Sequence, residues 1–297
     1  MTRKAPRKEK PVLISDDTAK RAEHGVVGGH AEMLRFDGDK LIKTAPVEEA
    51  IIYRLANDMS LVNDPDFTAT QRAQVQKMGK WFPKFYGAKN LGETAMLGEK
   101  NKARVQNMSE ITMENARYGR EDGNYMDIKI GTSTVTKWAA TKGQKYLDAR
   151  HQKDIKRETN IYGFVITGYI CGVHKYGVHD KTPELARDDH LFRLFNLKET
   201  FQMNSARWLR EQLAEMIEFF DTENTFELRG VSLFVVMDHV KKDYRAVLID
   251  LTSFEDTGEK DEGFVFGLKM LYSMIGDLIG TSAQDIDALQ APYEPEV

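Results

Sequence analysis

One cysteine, Cys171, stands among 297 residues, so the chain can close no internal disulfide and can build no CxxC metal site. That usage fits a reducing compartment, and a cytoplasmic or nuclear setting is expected. Nor is there a surplus of charge of either sign, since 42 Lys and Arg face 46 Asp and Glu for a formal net charge of −4. A general nucleic-acid binder rests on excess cation, so that class is set aside and any anion site must be a local basic cluster. Long apolar runs are missing as well. Stretches such as "VSLFVVM" at 231–237 fall far short of the roughly 20 residues of a membrane helix, and the N-terminus carries no signal-peptide apolar region. No membrane insertion is expected.

What is present suits a packed protein: 41% of the residues are apolar and 30% charged, enough for one large domain or two lobes. The opening "MTRKAPRKEKP" has almost nothing to bury and reads as a disordered basic tail over 1–20, with a nuclear-import signal as an alternative; "APYEPEV" at 291–297 reads as a loose end. Between them, "AEMLRFDGDKLIKTA" alternates across a DGD turn and predicts a β-hairpin ending near Lys43. "PVEEAIIYRLAND" opens with Pro46 and two acids, as a helix start does, and "WFPKFYGA" and "SEITMENA" read as further strands. "IYGFVITGYICGVHKY" predicts one long strand broken at its glycines. "SARWLREQLAEMIEFF" places Leu209, Leu213, Met216, Ile217 and Phe220 on one helical face. Two apolar strands joined by a charged turn follow in "RGVSLFVVMDHVKKDYRAVLIDLTSFE", and "LKMLYSMIGDLIG" closes with Leu268, Leu271, Ile275 and Leu278 at helical spacing. The expected class is α+β with two lobes, a smaller sheet-rich N-terminal lobe over 21–118 and a larger lobe of antiparallel strands and helices over 119–290.

Four polar features exceed what packing needs. Lys43 ends a strand just before a helix carrying Glu49. Asp127 and Lys129 lie two residues apart in "NYMDIKIG", either as a salt bridge on a surface strand or as two groups sharing a cleft. Lys137, Lys142, Lys145, Arg150, His151, Lys153, Lys156 and Arg157 form a basic cluster, mixed with acids, that suits a solvated helix face or an anion site. Asp250 ends the apolar strand "YRAVLID", where a carboxylate needs a cation or hydrogen-bond donors, as a metal ligand or as a cap. Together they supply a lysine for nucleotide phosphates, a carboxylate for Mg²⁺ and a basic surface for a second polyanion, the parts phosphoryl transfer uses.

These residues carry a resemblance to the inositol polyphosphate kinases. "GNYMDIKIG" keeps the Asp, Lys and Gly of their P-x-x-x-D-x-K-x-G signature, with Gly123 in place of the Pro. "VVGGHAEML", "EAIIY" from Glu49 to Tyr53, "FPKFYGA", "ITMENA", "RGVSLFVVMD", "VLIDLTSF" and "DEGFVFGLKML" are similar to further family elements in the same order. The resemblance implies a two-lobed kinase-like fold of that type, with ATP between the lobes, Lys43 on its phosphates and the backbone of Met113, Glu114 and Asn115 at the adenine. It further implies Asp127 on the ribose or a substrate hydroxyl and Lys129 at the inositol and the moving phosphoryl group. Mg²⁺ falls to Asp250 with Ser232, and a soluble inositol polyphosphate to Lys129, Lys137, Lys142, Lys145, Arg150 and Lys153. A monomer is expected.

The sequence departs from the pattern at Leu251, where the family has Phe, at Thr252 and Ser253, at Val231 and at Asn115. The short stretch between Gly131 and Gly163 leaves no room for a long calmodulin-responsive insertion, which favours a multikinase-like enzyme for tris- and tetrakisphosphates. Alternatives are a hexakisphosphate kinase making pyrophosphates and a non-catalytic inositol-phosphate sensor or scaffold. A protein kinase is disfavoured: no H-R-D loop is present and "GVVGGH" does not fit G-x-G-x-x-G.

Overall fold

The computed structural model describes residues 33–57, 67–97, 103–135, 143–172, 174–177, 187–198 and 200–290. The expected tails, the GVVGGH opening, Lys137 and Lys142 lie outside these residues.

The chain begins with the expected hairpin, β1 (Leu34–Asp37) and β2 (Lys40–Pro46), turned at Gly38 with φ 57°. β2 continues past Lys43, and α1 (Val47–Asn57) starts with Glu48 and Glu49 in its first turn, where acids complement the helix dipole. A helix that the sequence reading did not place follows, α2 (Ala69–Met78), opened by a capping box between Thr68 and Gln71. Its apolar residues are few and scattered, so period alone could not mark it. Trp81, read as strand, instead closes a short 3₁₀ turn over Gly79–Trp81. β3 (Phe85–Leu97) and β4 (Ala103–Glu114) complete an antiparallel sheet of order β1-β2-β4-β3.

Residues 115–123 lead into β5 (Asn124–Ile130), then α3 (Gln144–Lys156), α4 (Thr159–Tyr162), β6 (Phe164–Cys171) and β7 (His174–Gly177). The stretch read as one broken strand is therefore a short helix and a hairpin, because Gly163 and Gly172 adopt left-handed φ values of 67° and 56° that end each element. α5 (Arg187–Leu194), the small pair β8 (Asn196–Leu197) and β9 (Thr200–Phe201), α6 (Met203–Thr222), β10 (Phe226–Leu228), β11 (Ser232–Asp238), β12 (Asp243–Ile249), β13 (Phe254–Asp256) and α7 (Glu262–Gln290) follow. The larger sheet has the order β12-β11-β5-β6-β7, antiparallel throughout.

Strand alternation gives this sheet two faces. Met126, Ile128, Ile130, Leu233, Val235 and Met237 meet Leu209, Leu213, Met216 and Phe220 of α6 and Phe264, Leu268, Leu271 and Ile275 of α7 in one core. The same core reaches the smaller sheet through Trp81, whose ring lies 5.4 Å from Phe219 and 5.7 Å from Phe220. By length and composition Glu262–Thr281 could span a membrane, but its apolar side is spent on this core. The opposite face, with Tyr125, Val236, Val247 and Ala116, forms a second, smaller cluster beside the connection between the sheets.

Glycines set how close α7 comes to the end of β5. A Cβ on Gly267 would lie 1.9 Å from the Gly163 carbonyl oxygen, and Gly131 N donates to that same oxygen at 2.7 Å. Asp261 fixes the start of α7 by accepting from Phe264 N at 2.9 Å and Leu228 N at 2.8 Å. The "DEGFVFG" spacing thus clamps the turn that follows Lys129.

Candidate active site

Antiparallel register places Lys129 opposite Ser232, and Ser232 opposite Ile249, at one end of the second face. One residue further, Asp250 takes a left-handed backbone with φ 65°, which costs about 1 kcal/mol but is tolerated by Asp. That turn carries its carboxylate out of the line of β12 and into the space between two lysines. Its Oδ1 accepts from Lys43 Nζ at 2.5 Å and its Oδ2 from Lys129 Nζ at 3.4 Å. Lys43 also donates to Glu49 Oε1 at 2.8 Å, so helix α1 braces the lysine of β2 from behind.

The electrostatics follow from this geometry. Burial alone would lower the Lys43 pKa, yet Asp250 and Glu49 together hold it above the ordinary lysine value. Burial likewise opposes ionisation of Asp250, but Lys43 and Lys129 keep its carboxyl well below the usual range. For Glu49 burial dominates and pushes the carboxyl up, with Lys43 pulling against it. Asp127, 5% exposed, is also raised by burial, against the pull of Lys129. Its Oδ1 has no hydrogen-bond partner among the described residues. A buried oxygen left open beside a second carboxylate is a place for a ligand group or a cation.

Asp127, Lys129, Asp250 and Lys43 thus converge as the sequence predicts. Ser232 is also here, fully buried, with its Oγ accepting from Lys129 Nζ at 3.2 Å. The expected adenine backbone is partly committed within the chain: Glu114 N donates to Lys84 O at 2.7 Å and Asn115 N to Asp39 O at 2.8 Å. Met113 is buried between β2 and β3. Beyond them, Ala116 packs in the small apolar cluster of Tyr125, Val236 and Val247, with Phe234 and Ile249 half-buried at its edge. This cluster was missed because strand alternation, legible on β11 and β12 separately, names no shared face until register is known. Arg245 crosses from β12 to Glu114 at 2.6 Å and ties the larger sheet to the connection.

The basic cluster divides. Asp154 is buried and accepts from Thr134 N at 2.8 Å, Thr134 Oγ1 at 2.5 Å and Ser133 Oγ at 3.3 Å, which pins α3 on the turn after Lys129. Arg150, on the flank of that face, donates to Thr134 O at 3.2 Å. Lys153 is half-buried, one residue before Asp154, whereas Lys145 and Lys156 project on the exposed side. Helical period separates what sequence proximity had grouped.

Leu251, the departure from the family pattern, is buried in the main core, so the change there is one of packing. Gly123 fits a tight site, since a Cβ would lie 3.0 Å from Arg120 O and 3.1 Å from Met237 O.

Among the described residues no three His, Cys, Asp or Glu side chains cluster to hold a metal by themselves. The residues present still fit a divalent ion of the Mg²⁺ kind, which takes one or two carboxylates and completes its shell with phosphate oxygens and water. Asp250 and the open oxygen of Asp127 are hard donors of that sort.

Two sheets joined by a short connection, with a lysine–carboxylate–lysine bridge between them, fit the two-lobed kinase-like fold. The sequence pattern of the inositol polyphosphate kinases matches residues 110–276, more than half of the chain. The chain belongs to the inositol polyphosphate kinase family, and it is an inositol polyphosphate kinase enzyme. Among solved structures it is similar to the inositol phosphate multikinase Ipk2 of S. cerevisiae in complex with ADP and Mn²⁺, at 16% identity and TM-score 0.58, over 82% of this chain and 100% of that one. A second inositol phosphate multikinase structure is similar at 18% identity and TM-score 0.52, over 77% of this chain and 99% of that one. At these identities the likeness speaks for the fold. No curated protein sequence matches.

Proposed function

We propose that this kinase transfers the γ-phosphate of ATP, with Mg²⁺, to a soluble inositol polyphosphate, with tris- and tetrakisphosphates as its substrates. The observation that carries the reading is the Asp250 carboxylate held between Lys43 and Lys129, one lysine from each sheet, with Asp127 buried on the same face. Lys43, braced by Glu49, supplies fixed positive charge for the nucleotide phosphates. Lys129 stands where an acceptor and the transferring group must meet. The base falls beside the connection between the sheets, next to the apolar cluster of Ala116, Val236 and Val247. Asp250 and Asp127 would hold the metal, which when bound neutralises charge on the phosphates. Alignment and charge neutralisation of this kind need no strong general base.

The substrate's phosphates fall to Lys129, Arg150 and Lys153, carried by α3 over the turn after β5, while the outward Lys145 serves at most the rim. The multikinase names of the similar structures support the substrate reading. A cytoplasmic or nuclear setting goes with this reading, because a single cysteine leaves no internal disulfide that an oxidising compartment would have to maintain.

The test is ATP consumption with Mg²⁺ against inositol phosphates from tris- to hexakisphosphate, with product isomers resolved. Turnover of tris- and tetrakisphosphates is expected. Activity confined to the hexakisphosphate would overturn the substrate assignment, and binding without turnover across the panel would make the protein a sensor.

A further inference from the structure

A lysine ammonium has three N–H donors, and in Lys129 all three are spoken for. They meet Gly230 O at 2.8 Å, Ser232 Oγ at 3.2 Å and Asp250 Oδ2 at 3.4 Å. The three acceptors differ in how firmly they are held. Ser232 sits within β11, fully buried and directly across the ladder from Lys129. Gly230, with φ 74°, lies in a turn fixed on both sides, by Arg229 N donating to Ser253 O at 3.2 Å and Ile130 N to Val231 O at 3.1 Å. Asp250 is different: it lies beyond the end of β12, its side chain is 34% exposed, and it makes the longest of the three contacts.

We propose that Ser232 is a positioning residue for Lys129: its hydroxyl and the Gly230 carbonyl form a rigid clamp on the ammonium, and Lys129 exchanges only its Asp250 contact for an anionic oxygen of the reacting phosphate. The clamp removes the rotamer freedom that a long lysine side chain otherwise keeps, so the ammonium does not have to be ordered during turnover. It also gives Ser232 a task other than metal ligation. The exchange with a phosphate oxygen rests on the kinase reading above; the clamp itself does not.

The experiment therefore has two arms. In the first, protein free of nucleotide and metal is treated with an amine-acetylating reagent, and modification of Lys129 and Lys43 is followed by peptide mass spectrometry. Ser232→Ala and Ser232→Cys, the latter of similar volume but with a weak acceptor, are expected to raise the Lys129 rate several-fold and leave Lys43 unchanged; equal Lys129 rates in all proteins would overturn the clamp. In the second arm, both variants are expected to lose about 10- to 100-fold in kcat, the size of loss that small misplacements bring. ATP KM and the half-saturating Mg²⁺ concentration should stay within about twofold. Ser232→Thr, which keeps the hydroxyl, is expected to recover most of the rate. A raised Mg²⁺ requirement with kcat restored at high Mg²⁺ would make Ser232 a metal ligand and overturn the proposal. If the wild-type protein turned nothing over, the kinase reading would fail while the acetylation arm still judged the clamp.

Discussion

Lys43 is charged inside the protein because two carboxylates from different elements meet it, Glu49 from the helix that follows its strand and Asp250 from the other sheet. Breaking a buried pair by removing one partner costs more than the pair contributes, since the remaining charge stays out of water. Glu49→Gln keeps the shape and removes the charge. It is expected to cost about 1–3 kcal/mol and to raise the KM for ATP, because Lys43 then leans wholly on Asp250. Thermal denaturation and ATP titration check this, and an unchanged midpoint would mean that the buried Glu49 is already neutral. Of these residues the sequence made Lys43, Asp127, Lys129 and Asp250 legible, each being polar where its neighbours are apolar. Gly230 was not legible, because it acts through a backbone carbonyl that any residue possesses. Ser232 was visible, but its partner was not, since a hydroxyl does not announce whether it faces a lysine or a metal.

Helix α3 shows what periodicity could and could not supply. Seven Lys and Arg with His151 between 137 and 157 suited either a solvated face or an anion site, yet the buried Asp154 pins the helix on the turn after Lys129, Arg150 reaches Thr134 O, and Lys145 stays outside. An acid within a basic run read as mere dilution of charge; it is the anchor. Asp154→Ala leaves Thr134 N and both hydroxyls without their acceptor and frees the helix. The KM for the inositol phosphate is expected to rise about tenfold, the equivalent of roughly 1.4 kcal/mol, with ATP KM unchanged. Steady-state kinetics with each substrate varied in turn checks it, and a rise in ATP KM alone would place α3 at the nucleotide instead. The helices α6 and α7 were the most legible elements, because Leu209, Leu213 and Met216, and Leu268, Leu271 and Ile275, recur at the helical period and are fully buried. α2 escaped notice because its start is marked by a capping box and little else.

The two sheets share one core and meet at a cleft, whose polar groups come from within β2 and β5, from the start of β11, from the turn after β12 and from helix α1. Fold class followed from the alternation of strands and helices, and the order of motifs along the chain gave the family. The cleft itself was not legible: it depends on the pairing of β5 with β11 and of β11 with β12, contacts between residues more than a hundred positions apart for the first pair. Only that register turns Asp127, Lys129 and Asp250 from three isolated charges into one centre. The most direct trial of that centre compares the wild-type protein with Lys129→Ala for transfer of the terminal phosphate of ATP to an inositol trisphosphate, with circular dichroism and thermal melts on both. Expected is transfer by the wild type and a loss of about a thousandfold or more in the variant, an effect on the order of 4 kcal/mol in the barrier, with the fold retained and the melting point lowered by loss of the contacts to Gly230, Ser232 and Asp250. Wild-type transfer rates in a folded Lys129→Ala would contradict it, and phosphoryl transfer would then have to be sought elsewhere in the molecule.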